Sequence, residues 1–159
     1  MIDYLEIGVA QGDHAEKLMV DEHIRYVGVD KWEWDTTLEN EKNKLANWDS
    51  QDKWDEVYQK VLERLEPYGN RAKIIRGCTR NVLPTLNKKF DVVYSNHVLE
   101  HMANEDLKTH MASIIKHMKR SSVLIINMPN RLFGPSDVTR IIDYSYTNKT
   151  IAQGSHFNE

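Results

Sequence analysis

Residues 3–14, DYLEIGVAQGDH, place two glycines directly after a short apolar run that ends at Ile7. The segment that follows, residues 15–20, is compatible with a helix. A strand that stops at glycines and continues as a helix makes a turn whose backbone can approach a ligand closely. The pattern therefore predicts a strand–loop–helix unit with a ligand-binding loop between Gly8 and Gly12.

An acidic residue lies where a βαβ unit would place it. The apolar run 24–29 ends in Asp30, 18 residues beyond Gly12. An acidic side chain about 20 residues past a glycine loop, at the end of the second strand, is suited to bind the two hydroxyls of a ribose. The alternative is a solvated aspartate at a strand end. Because the glycines and the acid occur together at this spacing, we favour the ribose role.

Strand-like and helix-like segments alternate along the remainder of the chain. The further predicted strands are residues 72–75, 90–95 and 122–127, and the further predicted helices are residues 36–68, 81–86 and 104–118. Because the run 122–127 is almost continuously apolar, we expect that strand to be buried on both faces. Five strands with intervening helices predict a doubly wound, mainly parallel α/β sheet in a single domain, residues 1–159.

Doubly wound sheets bind their ligands beyond the carboxyl ends of the strands. Five residues with small or polar side chains lie at the predicted carboxyl ends, namely Gly8, Asp30, Cys78, Asn96 and Asn127. The sequence therefore predicts a binding site along that edge.

Aromatic residues and histidines outside these positions have simpler interpretations. Trp32 and Trp34 follow the second strand and would either cover an adenine ring or pack in the core. His14 lies close to the glycine loop and would either line the ligand site or lie in an exposed first turn of a helix, which we favour. His110 and His117 are expected on exposed helix surfaces.

Length, charge and cysteine content exclude several classes of protein. The chain has 159 residues and a formal net charge of −3, so it lacks the basic field expected of a nucleic-acid-binding surface. The lone Cys78 cannot form an internal disulfide and favours a reducing compartment, so we expect a cytoplasmic protein. No apolar stretch approaches the roughly 18 residues that a membrane span needs.

Four segments, taken in order, resemble the motifs of class I S-adenosylmethionine (AdoMet) methyltransferases. They are Glu6-x-Gly8-x-x-x-Gly12, Asp30, Arg76-Gly77-Cys78-Thr79 and the segment FDVVYSNHVLEHM, residues 90–102. The resemblance implies a Rossmann-like fold, AdoMet as the cofactor and methyl transfer to a small-molecule acceptor, with a hydroxyl compound as one candidate. Because Glu6 stands where the dinucleotide fingerprint has its first glycine, a nicotinamide-dependent oxidoreductase is disfavoured.

The same resemblance implies the residues of a cofactor site. Gly8 and Gly12 would border the methionine tail, and Asp30 would hold the ribose hydroxyls. Cys78 and Thr79 match the pair that flanks the adenine. The complete predicted cofactor set is Glu6, Gly8, Gly12, Asp30, Lys31, Gly77, Cys78, Thr79 and Asn96. We expect a side chain at Gly8 to prevent AdoMet binding and to leave the fold largely intact.

The segment His97-x-x-Glu100-His101 is the candidate for the methyl-acceptor side. On a helical turn, positions i, i+3 and i+4 share one face, so the three side chains would converge. His97 or His101 would then take the proton that a hydroxyl acceptor loses. The segment also resembles the E-x-x-E-H motif of metal-dependent O-methyltransferases, which implies a divalent metal ion held by His97, Glu100, His101 and His156. The third interpretation is structural, with His101 bonded to the backbone and Glu100 as a cap.

The C-terminal part of the chain departs from the family pattern. Family members continue after the fifth strand through another helix and an antiparallel pair of strands, whereas this sequence stops at Glu159. We therefore expect the last strands to be shortened or missing. Either the sequence is a fragment, or residues 138–153 rebuild the final strands, or a partner chain, with a second copy as one candidate, covers the open sheet edge. The alternative function is a catalytically silent AdoMet- or nucleoside-binding module, or a truncated methyltransferase fragment that needs a partner chain.

Overall fold

A parallel sheet is the frame of the molecule. The computed structural model describes residues 1–33, 50–102 and 104–128. The strands in this part of the chain are β1 (Ile2–Ile7), β2 (Ile24–Asp30), β3 (Ala72–Arg76), β4 (Phe90–Asn96) and β5 (Met118–Asn127). They pair in the order β3-β2-β1-β4-β5, and every neighbouring pair is parallel. The predicted parallel α/β sheet is confirmed, with its topological switch point between β1 and β4.

Helices connect consecutive strands. Those in the described ranges are α1 (Asp13–Met19), α2 (Gln51–Leu65), α3 (Thr79–Val82) and α4 (Asn104–Lys116), with 3₁₀ turns at Glu66–Arg71, Leu83–Thr85 and Leu99–His101. At the start of α2, the Ser50 hydroxyl accepts a hydrogen bond from the backbone of Lys53. The first part of the predicted helix 36–68, residues 36–49, lies outside the described residues. None of the described helices is long and apolar enough to cross a membrane.

The sheet packs against helices on both faces. In β1, Tyr4 belongs to the core cluster that contains residues of α1 and α2, whereas Leu5 and Ile7 belong to the cluster that contains residues of α3 and α4. A central parallel strand that is buried on both faces needs such a nearly continuous apolar run. This packing confirms the doubly wound arrangement.

The predicted burial of β5 on both faces is wrong. Val123, Ile125 and Ile126 are 54%, 45% and 41% exposed. Among the described residues, the core cluster on the side of α1 and α2 includes no residue of β5, whereas Leu124 packs against the cluster on the side of α3 and α4. The expectation of shortened or missing last strands concerns residues 129–159, which lie outside the described residues.

A group of charges around Asp3 joins the amino ends of the strands. Asp3 is only 4% exposed, and its carboxylate pairs with Arg25 at 2.9 Å, Lys88 at 2.8 Å and Lys119 at 3.0 Å. Burial alone would raise the pKa of Asp3, but hydrogen bonds from these cations outweigh it and hold that pKa well below 3.8. This group lies at the edge of the sheet opposite to the predicted binding site.

Candidate functional site

The loop after β1, residues 8–12, forms the base of the site and is called the glycine loop below. Gly8 and Gly12 have φ angles of +87° and +80°, which favour glycine. A Cβ atom on Gly8 would lie 2.3 Å from the carbonyl oxygen of Asn96 and 2.6 Å from Val98. The expectation that a side chain at Gly8 leaves the fold largely intact is therefore wrong, because the loop packs against the end of β4.

A cavity of about 300 Å³ opens beside the glycine loop at the switch point. Its lining residues are Val9, Ala10, Gln11, Asp13, His14 and Asn96. His14 was expected to be exposed, but it is partly buried, and its Nε2 lies 2.9 Å from the hydroxyl of Tyr4. Its ring also packs against Tyr94 with 4.5 Å between centroids. Burial lowers the pKa of His14, so the ring stays neutral near pH 7.

Asp30 lies beside the glycine loop and bonds to it. Its Oδ2 accepts a hydrogen bond from the backbone N–H of Ala10 at 2.8 Å. Its Oδ1 accepts one from the backbone N–H of Trp32 at 3.3 Å. Because each carboxylate oxygen has two lone pairs, both oxygens retain capacity for a further donor. Lys31, which was predicted to join the cofactor site, is exposed and pairs with Glu33 at 3.7 Å.

Glu6 is a fully buried carboxyl group two residues before Gly8. Its Oε2 accepts a hydrogen bond from the hydroxyl of Tyr26 at 2.5 Å, whereas its Oε1 has no hydrogen-bond partner. Burial raises the pKa of Glu6 to about 7, against the effect of the Tyr26 hydrogen bond and with a contribution from the charge of Asp30. The group can therefore exchange a proton near neutral pH.

The segment after β3 was predicted to flank an adenine. The N–H of Gly77 donates to the carbonyl of Asp30 at 2.8 Å, so this segment adjoins the end of β2. Cys78 is partly buried and immediately precedes α3. Thr79 is 8% exposed, and its hydroxyl lies 3.3 Å from Nδ1 of His110 in α4.

Two histidines of the α4 region were expected to be exposed, and both are buried. His110 is 7% exposed, and burial lowers its pKa. His117 is 9% exposed, and its Nδ1 lies 2.8 Å from the carbonyl of Ser113. Their burial follows from the packing of α4 and the turn after it against the sheet.

The chain turns sharply at His97, directly after β4. His97 has a φ angle of +50° and precedes the 3₁₀ turn Leu99–His101, so the expectation that His97, Glu100 and His101 share one helical face is wrong. His97 Nδ1 nevertheless lies 3.0 Å from Oε1 of Glu100, which is fully buried. His101 is exposed.

Amide groups hold the other side of the His97 ring. Asn127 Nδ2 lies 3.3 Å from Nε2 of His97 and donates to Oδ1 of Asn96 at 2.8 Å. The hydroxyl of Tyr94 donates to the same Asn96 oxygen at 3.0 Å. If Asn127 donates to Nε2, the ring proton lies on Nδ1, where Glu100 accepts it. His97 is thus oriented from two sides, while 51% of its side chain is exposed.

The predicted metal ligands do not form a metal site in the part of the chain that the structure describes. Within residues 1–33, 50–102 and 104–128, no three histidine, cysteine, aspartate or glutamate side chains are grouped so that they could hold a metal ion. His97 and Glu100 meet, but they have no third partner of this kind. His156 lies outside the described residues. Within the described ranges, His97 and Glu100 alone are too few ligands for a divalent metal centre.

Comparison with known proteins decides the family. A family model described as "Methyltransferase domain" matches residues 2–157, nearly the whole sequence. The chain belongs to the methyltransferase domain family. A search of curated protein sequences gave no significant match.

Solved structures with the same fold are distant from this methyltransferase domain in sequence. A S-adenosylmethionine-dependent methyltransferase from Clostridium acetobutylicum ATCC 824 is 19% identical with a TM-score of 0.57, and the match covers 79% of this chain and 42% of that one. The protein of a DhpI-SAM-HEP complex is 13% identical with a TM-score of 0.53, covering 81% and 48%. Mitomycin 7-O-methyltransferase MmcR is 19% identical with a TM-score of 0.53, covering 79% and 30%. The chain thus spans less than half the length of these structures, and the likeness establishes the fold.

In the methyltransferase domain, three residues near the site have contacts that the sequence did not predict. His14 lines the cavity. Trp32 donates hydrogen bonds to the Asp30 carboxylate and to the Ala10 carbonyl, and Asn127 contacts the ring of His97. The sequence signal for Asn127 was its place at the end of a strand. For His14 the only signal was its distance of two residues from Gly12.

Proposed function

We propose that the chain binds AdoMet at the carboxyl edge of the sheet and transfers its methyl group to a small-molecule acceptor. The observation that carries this proposal is the direct hydrogen bond between Asp30 and Ala10 of the glycine loop, next to a cavity at the switch point. Family membership and the ligand named for the DhpI structure, SAM, support AdoMet as the ligand.

The residues around the loop fit such a ligand. The glycine loop offers backbone at close range to the methionine tail, and the remaining lone pairs of Asp30 suit ribose hydroxyls. Glu6 lies buried next to the loop, so its ionised form would favour a cationic ligand there. Cys78 adjoins the end of β3, where the adenine is proposed to lie. Its neighbour Thr79 would contribute its backbone, since its hydroxyl lies against His110.

AdoMet supplies an activated methyl group on a sulfonium, so the protein has mainly to position the acceptor and exclude water. A hydroxyl acceptor must also lose a proton. We assign that task to His97, whose Nε2 would release the Asn127 amide and take the proton while Glu100 holds the ring through Nδ1. A catalytic role for His101 stays a prediction.

Calorimetric titration with AdoMet and with its demethylated product tests the binding site. Asp30→Asn should weaken binding by about 1–3 kcal/mol, because a charged acceptor for the ribose is lost. Asp52→Asn changes an exposed aspartate in the first turn of α2 and should bind as the wild type does. Equal affinities of all three proteins would remove Asp30 from the site.

Transfer is tested with labelled AdoMet and a panel of phenols, carboxylic acids and amines. His97→Gln should bind AdoMet normally and lose transfer to hydroxyl acceptors by a factor of about 10²–10⁴, the usual contribution of a general base. Full transfer by His97→Gln would refute its assignment.

A second candidate is a binding module that needs a partner chain for transfer. The chain spans less than half of the compared structures, and β5 exposes Val123, Ile125 and Ile126. AdoMet binding without transfer to any member of the panel, in a protein that sedimentation shows to be a monomer, would favour this candidate.

A further inference from the structure

Backbone strain in the described residues concentrates at the edge of the sheet that carries the proposed site. Apart from glycines, the described residues with positive φ are Ala10 at +49°, Trp32 at +41° and His97 at +50°. A bulky residue rarely adopts this conformation, and it persists only where the surroundings fix it. Such residues cluster at ligand sites. Trp32 is the largest of the three, and it is the second residue after β2.

Three hydrogen bonds connect Ala10, Asp30 and Trp32 in a closed ring. The Ala10 N–H donates to Asp30 Oδ2 at 2.8 Å, and the Trp32 N–H donates to Asp30 Oδ1 at 3.3 Å. The indole Nε1–H of Trp32 donates to the Ala10 carbonyl at 2.9 Å, which closes the ring. Both backbone groups of Ala10 are thereby held, one by the carboxylate and one by the indole.

Contacts from two other elements hold Trp32 itself. Its carbonyl accepts hydrogen bonds from Arg76 at the end of β3, at 2.6 Å, and from Gln51 at the start of α2, at 3.1 Å. Its indole packs against the ring of Tyr58 with 4.9 Å between centroids. Trp32 is fully buried, so of the two sequence interpretations the structure shows core packing rather than an exposed face for an adenine.

We infer that Trp32 is a positioning residue for AdoMet binding, which acts through Ala10 and Asp30. This inference rests on the proposed function. A glycine loop without the indole bond would have to be ordered when the ligand binds, and that ordering would reduce the affinity. With the bond in place, the free protein already holds the Asp30 carboxylate and the loop in one arrangement. The indole sets the geometry of the site although it does not face the ligand.

Trp32→Phe tests this inference because it keeps an aromatic side chain at a position with positive φ but removes the indole N–H donor. Trp54→Phe is the matched control, since Trp54 packs against the same core cluster. By calorimetry, the dissociation constant for AdoMet should rise by a factor of about three to ten in Trp32→Phe, the equivalent of one hydrogen bond. It should change less than about twofold in Trp54→Phe.

A spectroscopic readout separates positioning from mere structural support. The chain has four tryptophans, so NMR should show four indole N–H signals. The signal of Trp32 should move when the demethylated product saturates the wild type, because the carbonyl that it bonds to lies in the glycine loop. The signal of Trp54 should not move. If Trp32→Phe does not fold, the Trp32 signal is assigned by elimination from the Phe variants of the other three tryptophans.

The outcomes distinguish this inference from the proposed function. A wild-type protein that binds neither AdoMet nor its demethylated product would overturn both. A wild type that binds, with a Trp32→Phe variant of equal affinity or with an unmoved Trp32 signal, would overturn the positioning role alone.

Discussion

The substitution Glu6→Gln should abolish a pH dependence of the stability of the fold that the buried Glu6 carboxyl creates. Glu6 is fully buried, and one of its oxygens has no hydrogen-bond partner. The charged form loses its hydration there and gains only the hydroxyl of Tyr26, while the charge of Asp30 opposes it. Burial therefore favours the protonated form, and the pKa rises from 4.5 to about 7.

The sign and size of the effect follow from linkage. Because the pKa of Glu6 is higher in the folded than in the unfolded chain, the folded state binds more protons between these values, and its stability falls as pH rises through that range. A rise from 4.5 to about 7 corresponds to roughly 3 kcal/mol, since one pH unit is worth about 1.4 kcal/mol. This contribution is fully present below pH 4.5 and lost above about pH 7.

Urea unfolding of the wild type and of Glu6→Gln, from about pH 4.5 to about pH 8, measures this contribution. Glutamine keeps an acceptor for Tyr26 and does not titrate, so any fixed cost of the amide cancels when the free energy difference is followed with pH. As pH rises over this range, the free energy of unfolding of the wild type should fall by roughly 3 kcal/mol relative to that of Glu6→Gln. Glu22→Gln, at an exposed position, should follow the wild type. A pH-independent difference between wild type and Glu6→Gln would refute the reasoning.

Three further predictions concern ligand affinity and the stability of the fold. If AdoMet binds beside Glu6, its positive charge favours the ionised carboxylate, so calorimetry should show affinity rising from about pH 6 to about pH 8 in the wild type and staying flat in Glu6→Gln. Gly8→Ala should lower the free energy of unfolding by about 1–3 kcal/mol more than Gly12→Ala, because both have positive φ but only Gly8 meets backbone at 2.3 Å; equal losses in urea would contradict this. Asp3→Asn should cost about 2–3 kcal/mol at neutral pH, less than a fully buried pair because the three cations are partly exposed. The difference from the wild type should shrink below about pH 4, because the unfolded chain binds a proton at Asp3 there while the folded carboxylate is still ionised; a constant difference measured down to acid pH would disprove it.

The fold could be predicted from the sequence because the relevant signals are local. Apolar runs alternate with helical periodicity, and a glycine loop followed by Asp30 at 18 residues restricts the topology to a βαβ start. The packing of one element against another was harder to predict from the sequence. His14 packs against Tyr94 and His110 lies against Thr79, and both of these partners are distant in sequence.

The prediction for the segment after β4 failed for a specific physical reason. The spacing of His97, Glu100 and His101 satisfies a helical pattern, but the chain leaves β4 next to Gly8 and turns with a positive φ at His97. At this turn the His97 N–H donates to the Asn127 carbonyl at 2.9 Å, a contact between distant segments that the spacing of the three residues does not reveal. The sequence predicted that His97 and Glu100 would lie close together, but it did not predict the backbone turn by which they meet.

The close approach of Gly8 to the Asn96 carbonyl has a consequence for engineering. Gly8, directly after β1, packs against the end of β4 without space for a methyl group, so the glycine loop and the turn at His97 constrain each other's conformation. To change the acceptor by replacing the segment after β4, residues 8–12 would have to be replaced together with it, from the same donor protein.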